Sequence, residues 1–592
     1  MRKKEAILLG DIDLTVEGKR IAKILSFFGV PWHALATTEL LSSNGANWET
    51  PSECKLMGSA DTLLQLIEGL ECPGCMQFWE AQVHSAFIYA GNDFEILQKL
   101  VRRLTGDNGA VVSKINPGVG DVTVSDHFCD FCGVMAGIRV TANEANTDGN
   151  FVLGTAKGNL INIISRGDGT VFWKLEYKGV PVFLSTSREI VDIDAELKSQ
   201  NFDVRDHFLS AVPLVLYIKW AFAETCWSAA EINACLIIDD PVLKRTHGFV
   251  NFQELLSLMK RHNFSTNIAF IPWNWRRSAP EVVQLFKENP ESYSISVHGC
   301  DHTSAEFGSF DRQRLYWKTQ QALERMNRHE SITGIHHDRV MVFPQGIFSQ
   351  AAMSALKHTD LLAAVNSDVV SADSHPRAVT VSDVWDTAVM CYSSFPLFTR
   401  RYPWEGIENF AFDALLGKPA IILIHHDYCS DHCRCLVDIV DRLNALKCRL
   451  TWRGLGDVVR RSCRQRQLSP DVMEVEMYGS ELRVENRSQQ PKRFLIRKRD
   501  ADPSAIKEVR DGSGPIAWTP VNGRINFEIE LNPGEGKTVS VKFHDLRGHG
   551  HSREGIAYKV KAMLRRYLCE IRDNYVTTTR LRVRAVRVPL TR

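Results

Sequence analysis

Leu236-Ile237-Ile238-Asp239-Asp240-Pro241 is an apolar run that stops on two adjacent carboxylates. Further along, His298-Gly299-Cys300-Asp301-His302 sets two imidazoles four positions apart, and a second apolar run, 420–424, stops on His425-His426-Asp427. A short apolar run bounded by turn signals reads as a buried strand. Such runs recur at 234–238, 267–271, 294–297, 340–343, 363–365 and 420–424. Helical patterns lie between them. Phe252, Leu255, Leu256 and Met259 recur at i, i+3, i+4 and i+7, and 310–329 and 349–358 are the next clear cases. Repeated strand–helix units imply parallel strands, closed as a barrel or open as a sheet. On that reading Asp239, Asp240, Trp273, Asn274, His298, Gln345 and His425 all fall at or just past C-terminal strand ends. In barrels of this type that rim carries the active site.

The flanking regions read differently. Residues 1–228 alternate apolar runs (6–9, 85–90, 180–184) with helical patterns (18–28, 94–104), as in an α/β domain of Rossmann or flavodoxin type. The Gly/Asn-rich stretch 143–159 is a loop or a seam. There is no Gly-x-Gly-x-x-Gly and no phosphate loop, so the role of this region is not legible. Residues 229–465 hold the strand–helix repeat. From 470 to 545 the runs 481–485, 493–498, 524–531 and 537–543 alternate apolar and polar residues, which predicts a small antiparallel β-sandwich. Residues 546–592 predict a basic amphipathic helix over 556–574 and a tail. Val560, Met563, Leu564, Tyr567, Leu568 and Ile571 form one stripe, expected to be the face by which the helix docks. The alternative is peripheral contact with a membrane surface or an acidic partner, through the helix and Arg580-Leu581-Arg582-Val583-Arg584.

With 592 residues the chain is too long for one core and suggests about three or four domains. A net charge of +1 points away from nucleic acid. The 15 cysteines are scattered and odd in number, so they read as reduced thiols. The start, Met1-Arg2-Lys3-Lys4-Glu5, leads into an apolar stretch broken by acids, a strand rather than a signal-peptide core. Segment 208–227 is nearly long enough to span a membrane, but Pro213, Lys219 and Glu224 interrupt it, which predicts a buried or amphipathic helix. The expected location is the cytoplasm; the oligomeric state is not legible. Cys72-x-x-Cys75 and Cys129-x-x-Cys132 have the spacing of zinc-knuckle halves, although far apart. Cys429, His432, Cys433 and Cys435 crowd near the rim and read as reduced thiols for want of a clean ligand spacing. His247 follows the Asp pair closely and could reach the rim, but reads first as a surface-loop residue.

Hydrolysis of an amide or ester needs an activated water, a stabilised oxyanion and a proton for the leaving group. A divalent metal with open positions meets the first two needs. Two His at i and i+4 can share one ion if their segment is helical, and a carboxylate completes a His₂Asp set. A second carboxylate can then take the water's proton, and a separate His can protonate the leaving group.

These motifs resemble those of the polysaccharide deacetylase family (carbohydrate esterase family 4, the NodB-homology domain), over residues 234–452. The first family motif is matched by Asp239-Asp240, the second, His-x-x-x-His, by His298 and His302, and the fifth, Leu-x-His, by Leu423-Ile424-His425. The resemblance implies a distorted (β/α) barrel and removal of an N- or O-acetyl group from a sugar. It implies Asp239 as base, His425 as acid, and Asp240, His298 and His302 as ligands of a divalent metal, with Zn²⁺ expected. Trp273, Asn274, Trp275, Pro344 and Gln345 are the candidate substrate-binding residues, one of the tryptophans offering a sugar-stacking face. The implied partner is an acetylated sugar, glycan or glycolipid. The chain departs from the family at the third motif, where Val342-Phe343-Pro344-Gln345-Gly346 keeps the proline but lacks the arginine that orients the base. The fourth motif is matched only loosely, by Asp383-Val384-Trp385-Asp386. The missing arginine favours a second reading, a non-catalytic glycan-binding or regulatory scaffold. A glycoside hydrolase ranks last, because adjacent Asp239 and Asp240 do not face each other across a sugar.

Overall fold

The structure, a computed structural model, describes residues 4–10, 13–42, 53–71, 73–106, 111–114, 120–141, 151–154, 160–197, 200–546 and 555–579. The central sheet is built from β1 (Ile232–Asp239), β2 (Thr266–Phe270), β3 (Tyr293–His298), β4 (Asp338–Val342), β5 (Ala363–Asn366), β6 (Leu397–Thr399), β7 (Ala420–Ile424) and β8 (Leu450–Trp452). The strand order is β6-β5-β4-β3-β2-β1-β7, with β8 beside the start of β1. Every pairing is parallel. The sheet curls until its two edges meet just past β6: the Arg401 amide donates to the Ile421 carbonyl at 2.9 Å, and the Leu423 amide donates to the Arg401 carbonyl at 2.8 Å.

Side chains along a strand alternate between faces. The buried residues follow that rule. Cys235 and Ile237 of β1, Ala269 of β2, Val340 and Val342 of β4, Ala363 and Val365 of β5, Phe398 of β6 and Ile421 of β7 share one apolar cluster. Their neighbours Leu236, Ile238, Ile268, Met341, Ala364, Leu397, Ile422 and Ile424 join the cluster on the other face, under the helices. Extending the period by two places Asp239, Arg400 and His425 on the inner face at the C-terminal end of the sheet.

The strands at 234–238, 267–271, 294–297, 340–343, 363–365 and 420–424 are present with small shifts of boundary; β6 and β8 are additions. Three residues each, they carry too little periodicity to stand out. Among the helices, α1 (Phe208–Phe222), α2 (Phe252–His262), α3 (Arg312–Thr333) and α4 (Arg434–Asn444) pack around the sheets. Asn251 caps α2 by accepting from the Gln253 and Glu254 amides, and Phe252, Leu255, Leu256 and Met259 are its buried face. By length and apolarity the stretch Val204–Thr225, which contains α1, is sufficient to cross a membrane, yet most of it is buried inside the fold. Tyr217 of α1 packs on Phe87 and Phe183, and its hydroxyl lies 2.7 Å from Ser85 Oγ.

Towards the N-terminus, strands Trp32–Ala36, Lys4–Gly10, Glu53–Ser59, Val83–Tyr89 and Val180–Ser185 are parallel neighbours in that order. The sheet continues as antiparallel strands Gly169–Tyr177, Ile161–Arg166, Val122–Val124 and Arg139–Val140. Residues 463–543 form two sheets around a shared apolar core. One pairing there, Val472–Met477 with Lys492–Arg499, is parallel, a departure from the purely antiparallel expectation.

The last described α-helix of more than one turn, α5 (Ile556–Ile571), which runs on into a π-helical segment, corrects the expected docking face. Its polar side lies on the rim of the central sheet, and the stripe of Val560, Met563, Leu564, Tyr567, Leu568 and Ile571 faces outward. The reason is local: Tyr558, Arg566, Glu570 and Asp573 all find polar partners on the rim, described below. The tail from Arg580 lies outside the described residues.

Closure of the sheet rests on Arg401. Its guanidinium is buried, pairs with Asp413 at 2.7 Å and Glu405 at 3.0 Å, and donates to the Phe202 carbonyl at 2.9 Å. Removing one partner of a buried ionic network strands the others. Arg401→Met is therefore expected to cost about 3–5 kcal/mol, read as a fall in the denaturant midpoint of the transition that melts the central sheet. An unchanged midpoint contradicts this role.

Candidate active site

Asp239 ends β1 and is only 5% exposed. Burial raises a carboxyl's pKa, but Arg400 and the nearby His298 and His425 outweigh it and hold Asp239 below the usual carboxylate value. The main partner is Arg400, 2% exposed, whose Nη1 donates to Asp239 Oδ1 at 2.7 Å. Arg400 follows β6 directly. It reaches Asp239 from a strand that the sequence reading missed. The available signal was the run Leu397-Phe398-Thr399 ending on Arg400-Arg401, the same apolar-then-polar stop seen at β1 and β7.

Asp240 leaves the strand with φ +80°, a left-handed conformation that costs a non-glycine residue energy. The turn brings its carboxylate to the imidazoles: Asp240 Oδ1 lies 3.4 Å from His298 Nε2 and 3.0 Å from His302 Nε2. Burial works against the Asp240 charge, yet the two imidazoles hold its carboxyl well below the usual range. His298 ends β3, and its Nδ1 lies 3.0 Å from the Val342 carbonyl. A neutral imidazole donating there keeps its Nε2 lone pair for the site. For His298, burial lowers the pKa while Asp239 and Asp240 raise it more.

The segment between the two histidines is a tight loop, not the helical turn that the spacing suggested. Gly299 and His302 both adopt positive φ, +63° and +53°. A Cβ at Gly299 would meet Pro344 Cγ at 2.4 Å, so only glycine fits this approach. Glu306 holds the loop from beneath, accepting the amides of Cys300, Asp301 and His302 at 2.9–3.0 Å. Asp301 is in turn paired with Arg325 at 2.6 Å and Lys318 at 3.2 Å. Glu306 was not singled out in the sequence, which marks it only as an acid near the His pair.

The donor set fits a divalent ion. Tetrahedral coordination at about 2.0–2.1 Å puts ligand atoms roughly 3.3 Å apart, close to the separations around Asp240 Oδ1. That oxygen is buried and accepts no well-aligned hydrogen bond. Among the described residues, Cys300, Asp301 and Glu306 also cluster, but the ion pairs and amides just described use their carboxylates. Cys129 is exposed and Cys132 buried, while Cys72 lies outside the described residues, so the paired-knuckle expectation has no described counterpart.

His425 follows β7, close enough to act on the Asp239 carboxyl. Its ring stacks at 6.3 Å on Tyr402, which stacks at 4.0 Å on Trp404, with Tyr428 beyond at 5.9 Å. Trp404 is 61% exposed. The sequence reading placed the aromatic wall elsewhere. Trp273 lies under α5, edge-on to Tyr567 at 6.0 Å, with the Arg277 guanidinium over its ring. Trp275 has guanidinium groups of Arg276 and Arg328 against it. Asn274 is buried and accepts from Arg277 at 3.0 Å; Gln345 accepts the Ala305 amide at 3.1 Å; Pro344 packs on Gly299. In the loose fourth motif, Asp383 caps its own short helix, and Trp385 packs with Phe27, Phe202 and Phe412.

Helix α5 covers one side of the site. Arg566 Nη2 lies 3.3 Å from His302 Nδ1 and donates to the His302 carbonyl at 3.2 Å. Tyr558 donates to Asp301 at 3.1 Å, and Glu570 pairs with Lys244 and Arg277. Asp573 lies 3.6 Å from His426 and 3.9 Å from His247. His247 is thus buried rather than on a surface loop, and burial lowers its pKa against the pull of Asp573. Asp427 is exposed.

No family model matches the chain, and no curated protein matches it. Solved structures do. The carbohydrate deacetylase Agd3 aligns over 91% of this chain and 98% of its own at 10% identity, with a TM-score of 0.47. The peptidoglycan deacetylase PdaC of Bacillus subtilis covers 39% of this chain and 91% of its own at 12% identity, TM-score 0.23. A family 4 carbohydrate esterase of Streptomyces lividans covers 36% and 87% at 14% identity, TM-score 0.22.

Two outcomes follow from the geometry. Purified protein loaded with Zn²⁺ and desalted should retain about one ion per chain by elemental analysis, and His298→Ala should lose it; equal retention contradicts the ligand set. Arg566→Met removes a buried cation beside His302, and Zn²⁺ affinity by titration calorimetry should rise about tenfold; an unchanged or weaker affinity contradicts that reading of the contact.

Proposed function

We propose that the chain is a metal-dependent hydrolase that removes an acetyl group from a carbohydrate. The observation that carries this is the pairing of an ionised, arginine-held Asp239 with the Asp240–His298–His302 cluster on one barrel rim, His425 beside it. When bound to Asp240, His298 and His302, a divalent ion such as Zn²⁺ lowers the pKa of a coordinated water to about 7 and polarises an acetyl carbonyl.

The chain's own groups supply the rest. Asp239, kept anionic by Arg400, takes the water's proton. His425 gives a proton to the departing sugar nitrogen or oxygen. Arg400 positions the base and fixes its charge. Glu306, through three amides, holds His302 and its neighbours in register. Trp404, stacked on Tyr402 next to His425, offers an exposed ring to the apolar face of a sugar. The scaffold reading drew on the missing arginine, and the Arg400 contact to Asp239 supports the catalytic reading instead.

Acetate release from acetylated amino-sugar oligosaccharides tests the assignment. Asp239→Asn should lower kcat by about 10²–10⁴ while metal content stays intact; persistent release removes Asp239 as base. Arg400→Met removes the largest of the charges that oppose burial at Asp239, so its pKa rises and the acid limb of the metal-saturated pH profile moves to higher pH; a limb that stays or moves lower contradicts the role of Arg400. Trp404→Ala should raise KM about tenfold with little change in kcat.

A further inference from the structure

Helix α5 is docked with its faces reversed. Inward it presents Tyr558, Arg566 and Glu570 to the rim, with Asp573 just past its end. Outward it presents a stripe in which Leu564 is 53% exposed, Leu568 64% and Tyr575, just past the helix, 70%. Ile556, Val560, Met563, Tyr567 and Ile571 complete that stripe. The 16 residues of α5 span roughly 24 Å, so the exposed apolar face is continuous and long. Faces of this extent mark contact surfaces.

The charges around it say what kind of contact. None of the exposed residues of 555–579 is acidic, whereas Lys559, Lys561 and Arg572 are exposed on it. Both clefts beside the helix are basic: Arg245 and Arg276 line one, Arg314, Lys561 and Arg565 the other. The following thirteen residues, 580–592, add five arginines and no acid. A second copy of this chain meeting the stripe about a two-fold axis would bring like charges together. An apolar stripe flanked by lysine and arginine, with tyrosines along it, matches a bilayer interface with anionic headgroups.

We infer that α5 seats this protein on an anionic lipid surface through its outward apolar face. The stripe enters the headgroup boundary, the lysines and arginines on both flanks meet lipid phosphates and carboxylates, and the polar inward face stays on the rim. The site is thereby held at the membrane.

The test is sedimentation of the full-length protein with phosphatidylcholine vesicles, with and without phosphatidylserine. Binding is expected to the phosphatidylserine vesicles and to weaken with salt. Leu564→Glu with Leu568→Glu should weaken it at least about a hundredfold, and Lys559→Glu with Lys561→Glu about tenfold. All four positions face outward, so thermal unfolding should be unchanged, and this control separates lost binding from lost folding. Three outcomes overturn the inference: no binding to phosphatidylserine vesicles, binding untouched by the two leucine substitutions in folded protein, or a dimer in light scattering that those substitutions disperse.

Discussion

A buried carboxylate needs a cation. Asp239 stands at the end of an apolar strand, where burial works against its charge and Arg400 is the largest of the charges that oppose it. The pair forms only because the sheet curls round and joins edge to edge at Arg401, one residue beyond. Closure and chemistry are therefore one event: the residue that completes the ring of strands is adjacent to the residue that sets the charge of the candidate base. Buried ion pairs contribute little net stability against apolar replacements. The structure retains this one at the candidate base.

The inner face of the strands does the positioning. A period of two carries Cys235 and Ile237 to Asp239, Phe398 to Arg400, and Ile421 to His425, so three strands deliver three functional groups to one end without special loops. Special backbone appears where that period must be broken. Asp240 turns back through positive φ, and the His298–His302 loop bends through Gly299 and His302 over Glu306. Two of the three candidate ligands, Asp240 and His302, thus carry left-handed backbone, which aims side chains that a regular strand or helix would send elsewhere.

Much of this was legible in the chain. Six strands, the helices between them and the five residues Asp239, Asp240, His298, His302 and His425 follow from apolar runs and where they stop. What was not legible has physical causes. A three-residue strand has no measurable period, so β6 was missed and Arg400 with it. A tryptophan near a rim reads as a sugar platform, but whether its face is free depends on what packs against it: Arg277 lies over Trp273 and Arg276 and Arg328 over Trp275, whereas Trp404 is 61% exposed. Amphipathic periodicity revealed α5 but not which side it docks by, because that depends on Arg566 meeting His302, Tyr558 meeting Asp301 and Glu570 meeting Arg277, contacts hundreds of residues apart in sequence.

The central claim is that Asp240, His298 and His302 jointly hold one divalent ion beside Asp239. Anomalous diffraction from crystals soaked in zinc and acetate measures it directly. The account predicts a single strong peak about 2.0–2.2 Å from Asp240 Oδ1, His298 Nε2 and His302 Nε2, with acetate bound between that peak, Asp239 and His425. A peak at other residues, or none, contradicts it.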